Sequence, residues 1–200
     1  MEDAEPNRTI PGYSYGSTDV PPSPVSMDEL GKLEAAVGWS REDADWLCAA
    51  AEILVPQAEA MVDCWRAKIA AQPALLLSFL DAQGKPDENY KAAVKRRFVR
   101  WVSDACLRPH GQEWLNYQEE IGLRHTPAKK NRTDGGHTSP VVPQRYLIGF
   151  AAVVITSARD FLSATMKPQL EVDKMQDAWT RAVLLNIALW CRPYSAPGTW

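Results

Sequence analysis

Cysteine is scarce and scattered in this 200-residue chain: Cys48, Cys64, Cys106 and Cys191 lie far apart, and no C-x-x-C pair occurs. That spacing excludes a zinc ribbon or finger and the covalent attachment of a c-type haem. The four thiols fall within apolar helical patterns and read as buried free cysteines of a reducing cytoplasm. An excess of one charge is lacking too. The 22 Lys and Arg stand against 25 Asp and Glu, a net charge of −3, and the cations are dispersed, which argues against a nucleic-acid partner. Long apolar runs are missing: LIGFAAVVI, the longest, falls short of the ~20 residues that span a bilayer. The acidic, Pro-rich N-terminus has no apolar core of signal-peptide length. No membrane and a cytoplasmic location are therefore expected. No internal repeat is visible, and no second strand-like segment exists to pair with the one β-branched run.

What is present suits a single helical domain. Hydrophobic residues make up 46% and charged residues 24%, ordinary for a soluble globular protein of this length. Eight Trp is a high count. Trp is bulky and flat, so it suits a core built around a large planar ligand, although it also simply fills space.

The stripes are helical throughout. Residues 1–25 carry Pro6, Pro11, Pro21, Pro22 and Pro24 and read as an N-terminal arm, with 1–9 an unstructured tail. Ser26-Met-Asp-Glu29 is a capping box that opens a helix to about Val37, and Ser40 opens the next, with Leu47, Ala50, Ile53 and Leu54 inward. Met61, Val62, Trp65 and Ile69 stripe a third. Pro86 opens a long helix to about Leu107, with Tyr90, Val94, Phe98, Trp101 or Val102, and Ala105 inward. Gln144 to about Met166 is apolar on all sides; a strand is possible locally, but the pattern continues at helical spacing to Phe161 and Leu162. A helix apolar all round needs cover on more than one side, as a core and a subunit interface together provide. The last helix spans about Val172 to Cys191.

One stretch stands out, WLNYQEEIGLRHTPAKKN at Trp114–Asn131. Trp114, Tyr117 and Ile121 recur at threes and fours, and the step continues to Arg124 or His125, just before Thr126-Pro127 stops the helix. An imidazole there can ligate a metal or a haem iron through one nitrogen while the other bonds a backbone carbonyl. It is equally placed to be a hydrogen-bonded core His or a charge on the helix dipole. His137, in Gly-Gly-His-Thr, reads as a surface loop residue of the long 126–143 connection. The run Lys95, Arg96, Arg97 and Arg100 reads as a solvated face.

IGLRHTPAKKNRTDG followed by VPQRYLIGF, together with IPGYSYG at Ile10–Gly16, EWLNYQEEIGLRH at Glu113–His125 and the tail WCRPYS, resembles the protoglobin family, single-domain relatives of the globin part of globin-coupled sensors. The resemblance implies an all-α, globin-like fold over 26–200 with an N-terminal extension, and haem b as cofactor. It makes His125 the proximal iron ligand, with Tyr117 and Ile121 beside it. Trp65, Ile69, Phe98 and Phe150 then line the distal side. It pairs Arg97 with a haem propionate, lays the Ile10–Gly16 arm near the haem edge, and predicts a homodimer through the Gln144–Met166 helix and the last one.

The chain departs from the family after the distal Trp. Many protoglobins carry Tyr there; this chain has Arg66, assigned with Trp65 to the distal pocket. Burying an unpaired guanidinium costs several kcal/mol, so the side chain is expected to turn to solvent. No second His matches a distal position, which leaves the sixth iron site open to O2, CO or NO. The implied role is a reversible gas binder: carrier, scavenger or sensor. With no output domain expected after Trp200, sensing would need a partner chain. The alternatives are haem-dependent catalysis at the same site, as peroxidase-like, NO or nitrite, or carbene-transfer chemistry, and a haem-free helical interaction module.

Overall fold

The computed structural model describes residues 10–196 and 198–200. The tail expected at 1–9 lies outside the described residues. These form eight α-helices: α1 (Met27–Val37), α2 (Arg41–Leu54), α3 (Ala58–Ala71), α4 (Pro73–Leu76), α5 (Glu88–Leu107), α6 (Gln112–Leu123), α7 (Gln144–Ser163) and α8 (Gln169–Cys191). Short 3-10 turns follow α4 and α8.

The caps follow the sequence signals. The Ser26 hydroxyl accepts from the Glu29 N–H at 3.2 Å, and the Glu29 carboxylate accepts from the Ser26 N–H at 2.9 Å, the reciprocal arrangement expected there. Asp43 accepts from the Ser40 N–H at 2.8 Å. Asp87 caps α5 by accepting from the Tyr90 N–H at 2.9 Å. Helix α7 ends at Ser163 rather than near Met166, and α8 starts three residues earlier than its apolar stripe suggests.

The largest interface joins α7 to α8, and α2 and α5 close the other side of the core. Trp179, at the centre of α8, is fully buried and donates its indole N–H to the Val154 carbonyl at 3.1 Å. Trp101 of α5 is the hub of an aromatic cluster: its ring centroid lies 6.1 Å from Trp65, 5.6 Å from Trp179 and 5.5 Å from Trp190. A second, smaller core of Val25, Leu30, Trp114, Leu115, Leu185 and Leu189 fixes α1 and α6 to α8.

Three expectations need correction. Helix α6 is not amphipathic: Gln118, Glu119 and Glu120 are as buried as Trp114 and Tyr117. Each is satisfied by a partner from elsewhere: Gln118 by the Trp190 indole, Glu119 by Arg192, and Glu120 by Arg124 and Lys129. The cysteines are not all buried: Cys106 and Cys191 are, whereas Cys48 and Cys64 face outward on α2 and α3. Finally, the apolar run judged too short for a bilayer lies within α7, a helix that by length and composition is long and apolar enough to cross one. Its inner row, Leu147, Ala151, Val154, Ala158 and Leu162, packs into the bundle.

Candidate functional site: a slot beside His125

Helix α6 stops at Leu123, so His125 sits in the turn beyond the helix rather than in its last turn. The turn continues the helical path, with the His125 N–H on the Gly122 carbonyl at 3.0 Å. Gly122 lets this segment approach closely. A Cβ there would meet Pro193 at 3.1 Å and the Trp190 backbone at 3.2 Å, so a larger residue would need the end of α8 to give by a few tenths of an ångström. The His125 carbonyl accepts from the Val142 N–H at 2.9 Å and from the Tyr194 hydroxyl at 3.0 Å, which locks the turn to the end of the 126–143 loop and to the chain's last turn.

The ring is held as firmly. His125 Nδ1 lies 2.8 Å from the Ile121 carbonyl, which only accepts, so Nδ1 carries the hydrogen and Nε2 keeps its lone pair. The ring stacks on Trp190 at 5.8 Å between centroids and 20° between planes. The residue lines a cavity. Burial pushes the imidazole down to about 4, with Lys130 and Arg124 acting the same way and the Ile121 bond opposing, so the ring is neutral at neutral pH.

The cavity has two lobes, of about 120 and 90 Å³, that share Ser78, Phe79, Phe98, Trp101, His125, Val142 and Trp190. Each side of the shared waist differs in character. The larger lobe is lined by Tyr13, Tyr90, Tyr117 and Ile121 and by the charged Arg97, Arg124, Lys130, Asp104 and Asp134. The smaller is lined by Trp65, Ile69, Phe150, Val154 and Ile187, and its one ionisable group besides Tyr146 is His125 itself. The slot is thus apolar at one end and charged at the other, where three cations stand against two carboxylates, with aromatic walls along it. That is the complement of a flat apolar disc carrying two carboxylates on one edge. Among the described residues no three His, Cys, Asp or Glu side chains gather to hold a metal ion. The lining fits haem, which would bring its own iron, with His125 the imidazole available to it.

The arm over 10–24 reaches the charged lobe through Tyr13. Tyr13 lines it, donates to Asp104 at 2.8 Å and packs edge-on against Tyr117 at 5.4 Å. Arg97 donates to the Pro11 carbonyl at 2.9 Å, and Arg124 to the Gly12 carbonyl at 2.5 Å and the Ser14 hydroxyl at 3.0 Å. Gly12 is required twice over, by its φ of +73° and because a Cβ would lie 2.5 Å from Arg97 Nη1.

Most residues named from the sequence converge on the slot. Trp65, Ile69, Phe98, Phe150, Tyr117, Ile121 and Arg97 all line it with His125. Two need amendment. Arg66, assigned to the distal pocket, lines neither lobe: one residue past the fully buried Trp65, it has turned about 100° around α3 and its guanidinium lies 3.4 Å from Asp63 on the surface. Arg97, expected free for a carboxylate, already holds Asp134 in a two-pronged pair at 2.8 and 2.6 Å. Phe79, Trp101, Lys130, Val142 and Trp190 were not recognised as lining residues. Trp101 and Trp190 were legible as inward residues of their helices, but nothing local marks which inward residues meet a cavity.

The protoglobin family model matches residues 26–200 of the chain. No curated protein matches it.

Proposed function

The chain belongs to the protoglobin family and is a haem-binding globin; on that premise we propose that it carries haem b, that His125 Nε2 is the proximal iron ligand, and that the other face receives O2, CO or NO. Haem supplies an iron with one coordination position left for a small gas. The protein's part is to present a neutral, immobile imidazole, to enclose the disc in apolar walls, and to meet its carboxylate edge with cations. The observation that carries this reading is the His125 ring on the lining of both lobes, with Nδ1 on the Ile121 carbonyl so that Nε2 keeps its lone pair. Absorption spectra of the purified protein, ferric, ferrous and with CO, test it. A five-coordinate ferrous form that shifts on CO addition is expected, and a protein that takes up no haem would refute it.

On the proposed distal side Trp65 donates its indole N–H to Ser157 at 2.6 Å, and Arg66 is engaged at the surface. Neither turns a donor toward the iron position. Arg66→Leu therefore removes only a part-exposed ion pair, which is worth under about 1 kcal/mol. The O2 dissociation rate should change by less than about twofold; a large increase in stopped-flow experiments would show that the guanidinium swings inward.

The outer row of α7, with Arg145, Ile148, Gly149, Ala152 and Thr156, is exposed in the single chain. Ile148 keeps 51% of its surface. We propose that a second copy covers this row, as the family resemblance suggests. Small residues at Gly149 and Ala152 permit close helix approach. Sedimentation at micromolar concentration should give twice the chain mass, and a monomer would rule the interface out. The exposed thiols of Cys48 and Cys64 accord with a reducing compartment.

A further inference from the structure

Lys130 is the odd charge in this protein. Its side chain is almost wholly enclosed, at 2% exposure, yet no carboxylate of the described residues comes within ion-pair distance of it. The ammonium donates to the Ser78 carbonyl at 2.9 Å and to the Thr138 hydroxyl at 2.8 Å, and it lies 4.4 Å from the centre of the Tyr90 ring. An ammonium has three N–H bonds, so one is left over. The nearest acids are engaged elsewhere: Asp134 grips Arg97, and Asp87 caps α5. A buried cation without a counter-ion is costly, and burial accordingly pushes this ammonium down to about 8 against the pull of Asp134 and Asp87. It also lines the charged lobe of the slot, with His125 on the same lining.

The two other cations there already have counter-ions. Arg97 is paired with Asp134 and also holds the Pro11 carbonyl, and Arg124 is paired with Glu120 and also holds the Gly12 carbonyl and the Ser14 hydroxyl. We propose that Lys130 is the seat of one carboxylate of the bound haem, an assignment that rests on the haem reading of this slot. The anion completes both the charge and the third hydrogen bond of the ammonium. Around the enclosed ammonium this contact is charge-assisted and screened little by solvent.

The test uses the whole protein reconstituted with iron protoporphyrin IX or with its dimethyl ester, which has the same ring and no carboxylate charge. Haem loss to excess apomyoglobin is followed at pH 7 for wild type, Lys130→Met, Lys130→Gln and Lys130→Arg. The Gln variant keeps a donor for Ser78 and Thr138 without the charge, so it covers the case in which Met does not fold; melting of each apo protein checks folding. Removing the charge should speed loss of the free-acid haem by about tenfold, the size of one charge-assisted hydrogen bond, and change loss of the ester by less than about twofold, while Arg retains most of the wild-type lifetime. Equal acceleration with both, or none with either, overturns the assignment. If the wild type holds haem through His125 and still shows no acid–ester difference among the variants, Lys130 alone is misassigned. If the wild type holds no haem, the reading of the slot fails and this one with it.

Discussion

His125→Ala leaves a folded protein that no longer retains haem. The substitution deletes the one imidazole on the slot and, with it, the Nδ1–H bond to the Ile121 carbonyl at 2.8 Å. In the apo protein that is a small loss. A single neutral hydrogen bond contributes about 1 kcal/mol, and the turn stays tied by the Val142 N–H and the Tyr194 hydroxyl on the residue 125 carbonyl, which the mutation leaves in place. For haem the loss is of a different order. Removing a group that merely orients a metal ligand costs up to about a hundredfold in affinity, and removing the ligand itself costs more. The purified variant should show the apo helical content and melting temperature within a few degrees of wild-type apo protein. It should lack the stable Soret band and the ferrous five-coordinate form. His125→Gly carries the argument further, because the space left between Trp190 and the slot accepts free imidazole, and millimolar imidazole should restore the spectrum. Undiminished haem retention in either variant would move the iron ligand elsewhere.

The contrast between these readouts explains which parts of the molecule could be read from the chain alone. Helix positions were legible because each stripe is a local pattern: Leu47, Ala50 and Leu54, or Met61, Val62 and Trp65, repeat within one helix and need no knowledge of the others. Arg66 was assigned to the distal pocket by its place after Trp65, while the cost of burying an unpaired guanidinium argued for solvent, where it lies against Asp63. Cys48 and Cys64 each stand one step from an inward residue, Leu47 and Trp65, and the expectation of burial took the apolar neighbourhood without the phase. Charges depend on partners distant in the chain, and there the patterns fail. Arg97 reads as free until Asp134, 37 residues on, closes on it. Nothing local in the chain marks Glu119 and Glu120 as buried; their partners are Arg192, Arg124 and Lys129. Lys130, inside Lys129-Lys130-Asn131, has the look of a surface pair, and only the folding of the 126–143 loop over Ser78 encloses it. The slot was therefore visible in its apolar wall and in His125, and hidden in its charged edge.

Trp101→Ala is expected to have the largest effect on the fold itself. The ring is 9% exposed, lies between Trp65, Trp179 and Trp190, and stands at the waist shared by both lobes. Truncating a buried Trp costs about 3–5 kcal/mol, from lost burial and from the cavity that remains. A second loss accompanies it. Trp101 donates to Asn186 Oδ1 at 3.2 Å, and Asn186 is 1% exposed, with its amide N–H on the Ala182 carbonyl at 2.7 Å. Without the indole that oxygen is stranded, at a further cost of about 1–3 kcal/mol unless water enters the new space. Domains of this size are stable by roughly 5–15 kcal/mol, so the apo variant should melt far below wild type or fail to fold cooperatively. Trp101→Phe largely separates the two losses, because it keeps an aromatic ring against Trp179 and Trp190 while removing the donor and the smaller part of the buried volume; at least about 1–3 kcal/mol is expected. Urea unfolding of the apo proteins measures both, and a drop of less than about 2 kcal/mol for alanine would mean that the core closes over the gap. The haem-loaded alanine variant bears on function. Trp101 backs Trp190, and Trp190 fixes the plane of the His125 ring at 20°. Loss of the backing should broaden the ferrous spectrum even where haem binding rescues the fold, whereas His125→Ala removes the spectrum and spares the fold.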